Sequence, residues 1–363
     1  MDALRILLVR LSAVGDVVNT LPAITALRTA FPRAHLTFAV EDKAQDVVVG
    51  HPDLDGVIVF PRKRWRAALR RVSGALPALR EVCAYAGELR RAHFDVVLDF
   101  QGNLKSGLHV YCTHAARRIG FARGHEKELN RYFTREHVTP RTERQSRVDK
   151  NLDLLAALGV ERTPVRFRLP HSSDSESRVA NFLRSIGCER DAFVLVHPGT
   201  SAFGHTKRWP LERFAELARA IEREWSLPTV VAWGPGERAM AESIVAQCSA
   251  RLALETKSLL DLAELLRASK LYVGADSGPL HLAAAVGTPS VALFGPKDPA
   301  IYAPYNPRSA VVHHPDAHGV GTMDSITVSE VVAAGRSLIT PAGGSTSAAP
   351  PARIEAGRGA VPP

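Results

Sequence analysis

The sequence predicts an α/β protein built as two successive Rossmann-like units, each a parallel sheet with helices on both faces. Three observations predict it. The chain has 363 residues, too many for one ordinary α/β layer and suited to two domains of roughly 150–180 residues each. Short apolar runs alternate with helically spaced apolar positions, the βαβ rhythm of a parallel sheet. That rhythm pauses near Thr163-Pro164 and restarts at Phe193. Hydrophobic residues make up 45% of the chain and charged residues 23%, enough for two cores.

In the first unit, Leu4–Leu11 reads as a strand: it is apolar, but too short and too charged for a secretory h-region. Val17, Val18, Leu21, Ile24 and Leu27 fall at helical spacing and predict a helix over Val14–Phe31. Further strands are expected at Leu36–Val40, Val57–Phe60 and Asp95–Phe100, and a helix over Asp149–Leu158 that Gly159 ends. In the second unit, strands are expected at Phe193–His197, Thr229–Trp233, Leu252–Glu255, Leu271–Gly274 and Ser290–Phe294. The helices between them are Leu211–Trp225, Glu237–Cys248, Leu259–Ala268 and Leu280–Val286. The predicted domains are 1–165 and 166–340. From Thr340 the chain turns to Pro, Ala, Gly and Ser, which predicts a disordered tail over 341–363.

Several classes are excluded or disfavoured. Cys83, Cys112, Cys188 and Cys248 form no C-x-x-C pair, so a disulfide framework is not indicated and a reducing compartment is expected. No stretch approaches the ~18 uncharged apolar residues that span a bilayer. Neither first strand leads into G-x-G-x-x-G, which argues against a dinucleotide dehydrogenase, and neither a Walker loop nor G-x-S-x-G is present. No grouping has metal-ligand spacing. Asp53-Leu54-Asp55 has the D-x-D form, but it precedes a strand and reads as a turn.

The net charge of +9 is uneven. Residues 1–170 hold 28 Lys and Arg against 18 Asp and Glu, a net of +10; the remainder holds 18 against 19. An anionic partner of the first half is one reading: nucleic acid, a membrane surface or a phosphorylated acceptor. A merely solvated basic surface is the other. Nucleic acid ranks lowest, because the basic residues lack an interleaved aromatic platform.

Candidate chemistry gathers at strand-to-helix turns. In Gly274-Ala275-Asp276-Ser277-Gly278-Pro279-Leu280-His281, Asp276 and Ser277 stand where a helix N-cap belongs, and Gly278 lets a ligand approach the backbone. Such a turn either cradles phosphate or is a capped helix that binds nothing. His281 is likewise a ligand contact or a core residue. His197-Pro198-Gly199-Thr200-Ser201 offers hydroxyl and N–H donors, and Lys207 offers a point charge for a diphosphate or a solvated surface charge. Trp209-Pro210 reads as a loop anchor. After Trp233-Gly234-Pro235-Gly236, Glu237 could accept from ribose hydroxyls or answer the helix dipole. Three such turns in one domain line one crevice, since ligands of open α/β sheets bind beyond the carboxyl ends of the strands. In the first unit, Asp16 opens the first helix, where the dipole keeps it ionised. It is a candidate base or a capping residue. Gln101 and Lys105 lie in the turn after the fourth strand. Arg62 and Arg64, Arg70 and Arg71, Arg117 and Arg118, Arg123, Lys127 and Arg131 are basic side chains that either grip an acidic acceptor or are solvated.

These segments together resemble glycosyltransferase family 9, the ADP-heptose:lipopolysaccharide heptosyltransferases. The resemblance runs from Arg5 through Leu11-Ser12-Ala13-Val14-Gly15-Asp16 and Asn19-Thr20-Leu21-Pro22-Ala23. It continues in Asp99-Phe100-Gln101-Gly102-Asn103-Leu104-Lys105-Ser106, His197-Pro198-Gly199-Thr200, Lys207-Arg208-Trp209-Pro210 and Asp276-Ser277-Gly278-Pro279-Leu280-His281. It covers the chain to about Ile339 and is most like the heptosyltransferase I branch. It implies a GT-B fold, two Rossmann-like domains facing across a cleft, with acceptor bound N-terminally and donor C-terminally. It also implies inverting transfer without a metal or other cofactor. Asp16 then matches the family's base and Lys207 its donor-phosphate lysine. Asp276, Ser277, Gly278 and His281 match its donor loop, and Glu237 its ribose acid; Thr200 and Ser201 join the donor side. Gln101, Lys105, Arg62, Arg64 and Arg123 are expected to meet the acceptor. Ser277 stands where the family often has Thr, which keeps the hydroxyl, and Pro279-Leu280 replace variable positions, one of them polar in some members. The implied substrates are ADP-heptose and a phosphorylated Kdo–lipid A acceptor, with the enzyme cytoplasmic and peripheral at the inner membrane. The alternatives are a GT-B nucleotide-sugar epimerase, a transferase of another sugar, and a non-catalytic nucleotide-sugar-binding protein.

Overall fold

The computed structural model describes residues 3–68, 75–200 and 204–340. Ser201, Arg70, Arg71 and the expected tail lie outside the described residues. The chain divides into two compact units, Met1–His171 and Ser172–Pro363.

The first unit runs β1 (Arg5–Val9), α1 (Val14–Val18), α2 (Leu21–Ala30), β2 (His35–Glu41), β3 (Gly56–Phe60), α3 (Arg62–Ala68), α4 (Ala75–Arg91), β4 (Val96–Asp99), α5 (Leu104–Cys112), β5 (Arg117–Phe121), β6 (Glu136–Val138) and α6 (Arg147–Leu154). The predicted helix over Val14–Phe31 is two helices. Pro22 sits in the first turn of α2, where a missing N–H costs nothing but a continuous helix cannot form through it. Gly159 ends the turn after α6 at φ 70, as its lack of a Cβ allows. Arg117-Arg118-Ile119-Gly120-Phe121, read above as part of a basic cluster, is a strand. Arg117 points outward and pairs with Glu136 of β6 at 2.6 Å. The D-x-D pair is a turn: Asp53 accepts from Thr25 at 2.9 Å and pairs with Arg168, while Asp55 pairs with Arg28 at 2.5 Å.

The second unit runs α7 (Ser173–Ser185), β7 (Val194–His197), α8 (Leu211–Trp225), β8 (Thr229–Val231), α9 (Arg238–Val245), β9 (Arg251–Leu252), α10 (Leu259–Ala268), β10 (Leu271–Ala275), α11 (Gly278–Ala285), β11 (Ser290–Phe294), α12 (Pro299–Tyr302), β12 (Ser309–His313) and α13 (Val328–Ile339). On α8, Phe214, Leu217, Ala218 and Ile221 recur at helical spacing and are buried against the sheet. Trp209 is buried and donates from Nε1 to the Ile326 carbonyl at 3.0 Å. It therefore anchors the loop into α8.

Both sheets are six-stranded and every strand pairing is parallel, in the orders β3-β2-β1-β4-β5-β6 and β12-β11-β10-β7-β8-β9. Numbered from each unit's own first strand, both read 3-2-1-4-5-6. Connections leave β1 and β4 in opposite directions, and likewise β7 and β10. A crevice therefore opens beyond their carboxyl ends. The elements on either side are apolar and buried, so polar side chains at those two points stand out. Among the described residues, no helix is long and apolar enough to cross a membrane.

Candidate active site

In the first unit the switch point lies between the turns after β1 and β4. Arg10 is largely buried and pairs through Nη2 with Asp16 Oδ1 at 2.6 Å, while its Nη1 donates to the Phe100 carbonyl. Asp16 also accepts from the Ala13 N–H at 3.3 Å. One third of the Asp16 side chain remains exposed, so a substrate hydroxyl can reach it. Burial pushes the Asp16 carboxyl up, but Arg10, Arg147 and the Ala13 N–H outweigh burial and hold it below the ordinary carboxylate range. The sequence credits the helix dipole with that ionisation. Helix α1 has only five residues, and the guanidinium groups dominate instead.

The neighbouring turn is organised by Asp99, the last residue of β4, which is fully buried. Its Oδ1 accepts from the Gln101 and Gly102 N–H groups, each at 3.0 Å. Its Oδ2 accepts from Ser106 Oγ at 2.8 Å and Asn130 Nδ2 at 2.7 Å. Burial pushes its pKa up despite those four bonds. Gln101 then reaches across, its Oε1 accepting from the N–H groups of Leu11 (2.8 Å) and Ser12 (3.1 Å). Half of this side chain, expected to meet acceptor, is thus committed to bracing the Asp16 loop, and its Nε2 is the part that can face a ligand. Lys105 pairs with Glu41 and approaches Ser12 Oγ at 3.3 Å, and Arg62 reaches the same Glu41 at 3.3 Å. Arg64 instead pairs with Glu81 of α4 at 2.7 Å. Arg123 stands exposed in the turn after β5. Neither bonds to the Lys105–Glu41–Arg62 group.

In the second unit three turns from the adjacent strands β10, β7 and β8 come together. Lys207 Nζ lies 2.5 Å from Asp276 Oδ2, and Asp276 Oδ1 lies 3.5 Å from His281 Nε2. Burial pushes the Asp276 carboxyl up, yet His281 and Lys207 hold it below its ordinary range. Ser277 is the N-cap of α11 but makes no capping hydrogen bond, and Gly278 follows as the first helical residue. The capping role expected of Asp276 and Ser277 is therefore not taken by either side chain: Asp276 serves the lysine and histidine. Thr200 donates to the Gly204 carbonyl at 2.8 Å and accepts from Arg208 at 3.2 Å, holding the loop that presents Lys207.

Glu237 accepts from the Gly234 N–H at 2.9 Å and lies 3.4 Å from His197 Nε2. Burial keeps His197 below the usual histidine pKa. A Cβ at Gly199 would overlap the Glu237 carboxylate. This glycine is thus required by close approach, with no left-handed turn involved. Gly199→Ala is expected to destabilise the protein by about 1–3 kcal/mol through overpacking, seen as a lower Tm. Gly199→Ala/Glu237→Ala should recover most of that loss. A double variant no better than the single would show that the overlap is not the cause.

A protein whose two parallel Rossmann-type sheets both gather their polar side chains at the switch point belongs among the doubly wound α/β proteins, which bind ligands there. Residues 82–321 match the model of glycosyltransferase family 9 (heptosyltransferase), and the chain belongs to that family and is a glycosyltransferase. It is 30% identical over 321 residues to lipopolysaccharide heptosyltransferase 1 of Pseudomonas aeruginosa, covering 85% of this chain and 83% of the relative. It is 27% identical to the Salmonella typhimurium protein of the same name, covering 90% of this chain and 98% of that one. Among solved structures, a family 9 glycosyltransferase from Veillonella parvula aligns with a TM-score of 0.77 at 24% identity, covering 93% of this chain and 97% of that one. The Escherichia coli heptosyltransferase WaaC, solved with ADP, aligns at 0.74 and 23% identity, covering 92% and 100%. These likenesses bear out the fold class.

Arg10, Glu41, Asp99, Asn130 and His197 were not singled out from sequence as site residues. Asp99 carried a signal: an acid closing an apolar strand is buried, and a buried acid needs donors. Arg10 and Glu41 are also charges at strand ends. Asn130 had none, because its role depends on a turn brought in from beyond β5.

Proposed function

We propose that this enzyme transfers heptose from ADP-heptose to the Kdo–lipid A inner core of lipopolysaccharide, with inversion and without a metal. The observation that carries the reading is the Lys207–Asp276–His281 chain beside the uncapped start of α11. A lysine and the Gly278 N–H at a helix start can meet a departing diphosphate, since Pro279 has no N–H and the Leu280 N–H already donates to the Ser277 carbonyl. Relatives that span most of the chain are named lipopolysaccharide heptosyltransferase 1, which supports heptose as the sugar and lipopolysaccharide as the acceptor.

In this reading residues 1–165 bind acceptor and 166–340 bind donor. Asp16 takes the proton of the attacking acceptor hydroxyl, and attack on the face opposite the nucleotide inverts the anomeric carbon. Lys207 shifts from Asp276 toward the diphosphate as its negative charge develops. Glu237 accepts from the ribose hydroxyls, with Thr200, Ser277, Gly278 and His281 lining the donor. Gln101 Nε2, Lys105 and Arg62 meet the acid and phosphate groups of the acceptor, while Arg64 and Arg123 give longer-range attraction. The enzyme works at the cytoplasmic face of the membrane that carries its acceptor.

A thermal-shift panel tests the donor. At a hundred times its dissociation constant a ligand adds about 2.7 kcal/mol of apparent stability, so ADP and ADP-heptose should raise Tm where UDP and GDP do not. Preference for UDP would overturn the ADP-heptose assignment. Unchanged turnover in excess EDTA is expected of a protein-held diphosphate, and loss of turnover restored by added Mg²⁺ would refute the metal-free step.

A further inference from the structure

We propose that the outer face of α5, with the adjoining turn at Leu129–Tyr132, docks on a bilayer surface rich in anionic headgroups. The inference rests on the proposed lipid-borne acceptor for its purpose, but on different residues for its evidence. Nine large hydrophobic side chains are exposed among the described residues, and five of them lie on α5 and this turn. Such clustering is not the scatter of a solvated surface. On α5, Leu104, Leu108 and Tyr111 recur at i, i+4 and i+7 and form one outward stripe. Leu108 is 50% exposed and Tyr111 55%; Leu129 and Tyr132, on the turn packed beside α5, reach 59% and 69%.

The charge around the stripe selects the occupant. The Arg118 guanidinium lies over the Tyr111 ring at 5.9 Å, and Arg131 over Tyr132 at 4.7 Å. The Arg135 N–H donates to the Arg118 carbonyl at 2.7 Å, which sets a third guanidinium-bearing residue beside them, and Lys127 is exposed nearby. The acids on this side are Glu126, paired with Arg131, and Glu128, which accepts from the Leu104 N–H. Cationic residues therefore exceed acidic ones around an apolar stripe with tyrosines, the pattern that holds a protein in a headgroup layer. A second copy of this chain is disfavoured as the cover, because a two-fold contact would set the same cations against themselves. The stripe begins at Leu104, next to Lys105 of the Lys105–Glu41–Arg62 group. Docking there would bring a lipid-anchored acceptor directly to that group.

Flotation with vesicles tests this on the full-length protein. Wild type is expected to float with phosphatidylglycerol/phosphatidylcholine vesicles, to stay behind with phosphatidylcholine alone, and to lose binding as salt rises. Leu108→Ser/Tyr132→Ser and Arg118→Ser/Arg135→Ser should each reduce partitioning at least about tenfold, with unchanged Tm and unchanged turnover of detergent-dispersed acceptor. Equal flotation by either double variant overturns the proposal. So does a solution dimer that Leu108→Ser/Tyr132→Ser dissociates, which would make a second copy the occupant. Failure of the function reading shows separately, as absence of heptosyl transfer by wild type in detergent.

Discussion

Asp16→Asn is expected to lower kcat by about 10²–10⁴-fold, the contribution of a positioned general base, while ADP affinity stays within about threefold. Asparagine is the informative change because its amide oxygen can still accept from Arg10 as Asp16 Oδ1 does now, while only the Ala13 N–H, held by Oδ2, loses its acceptor. Asp16→Ala should also abolish turnover, but it leaves the buried Arg10 without its counter-charge. We expect a stability loss of about 1–3 kcal/mol from that, below the value for a fully buried pair because Asp16 is partly exposed. Single-turnover rates and calorimetric ADP titration on both variants check the split, and full activity in Asp16→Asn would remove the base from this residue. The depressed pKa adds a pH signature. Stability from the Asp16–Arg10 pair is fully present above the unfolded value of about 4 and is lost as pH falls through the lower folded value. No acid limb from Asp16 should therefore appear in kcat/KM near neutrality.

Lys207→Ala should act on donor and chemistry together. In the proposed role of Lys207 at the leaving diphosphate, losing its charge is expected to lower kcat/KM by about 10²–10³-fold, and unlike the Asp16 change it should weaken ADP binding. Asp276 would keep His281 as its partner, so the fold of the α11 turn should survive. Lys207→Arg should restore only part of the loss, because a planar fork does not reproduce a compact ammonium placed 2.5 Å from Asp276. Unchanged ADP affinity in Lys207→Ala would take the lysine out of the donor site.

Much of this was legible from residues alone. The strands whose apolar runs are uninterrupted, such as Leu271–Ala275 and Ser290–Phe294, were placed to within a residue, because a strand covered on both faces writes its burial into the sequence. Strands β5, β6 and β12 were missed. Each lies toward the edge of its sheet, carries arginine, glutamate or histidine, and is held by pairing more than by apolar content. The site divides the same way. Residues that sit at strand-to-helix turns, Asp16, Lys207, Asp276 and Glu237, announce themselves by position. Their partners do not: that Arg10 holds Asp16, or that Gln101 braces Leu11 and Ser12 instead of only awaiting substrate, depends on which strands become neighbours. Arg64 and Arg123 show the same dependence on the fold. Composition grouped them with the acceptor contacts, while the fold gives one to Glu81 and leaves the other on an outer turn.

The all-parallel pairing has a kinetic consequence. A hairpin can zip locally, but here Ile6 of β1 must find Val96 of β4, and Leu271 of β10 must find Val194 of β7. Each central contact waits for a long intervening stretch to be ordered first, so loop-closure entropy is met before any pairing repays it. Such a chain should fold slowly for its size and expose apolar strands while it does so. The two switch points, built by the most distant pairings in each sheet, should be among the last features of the molecule to form.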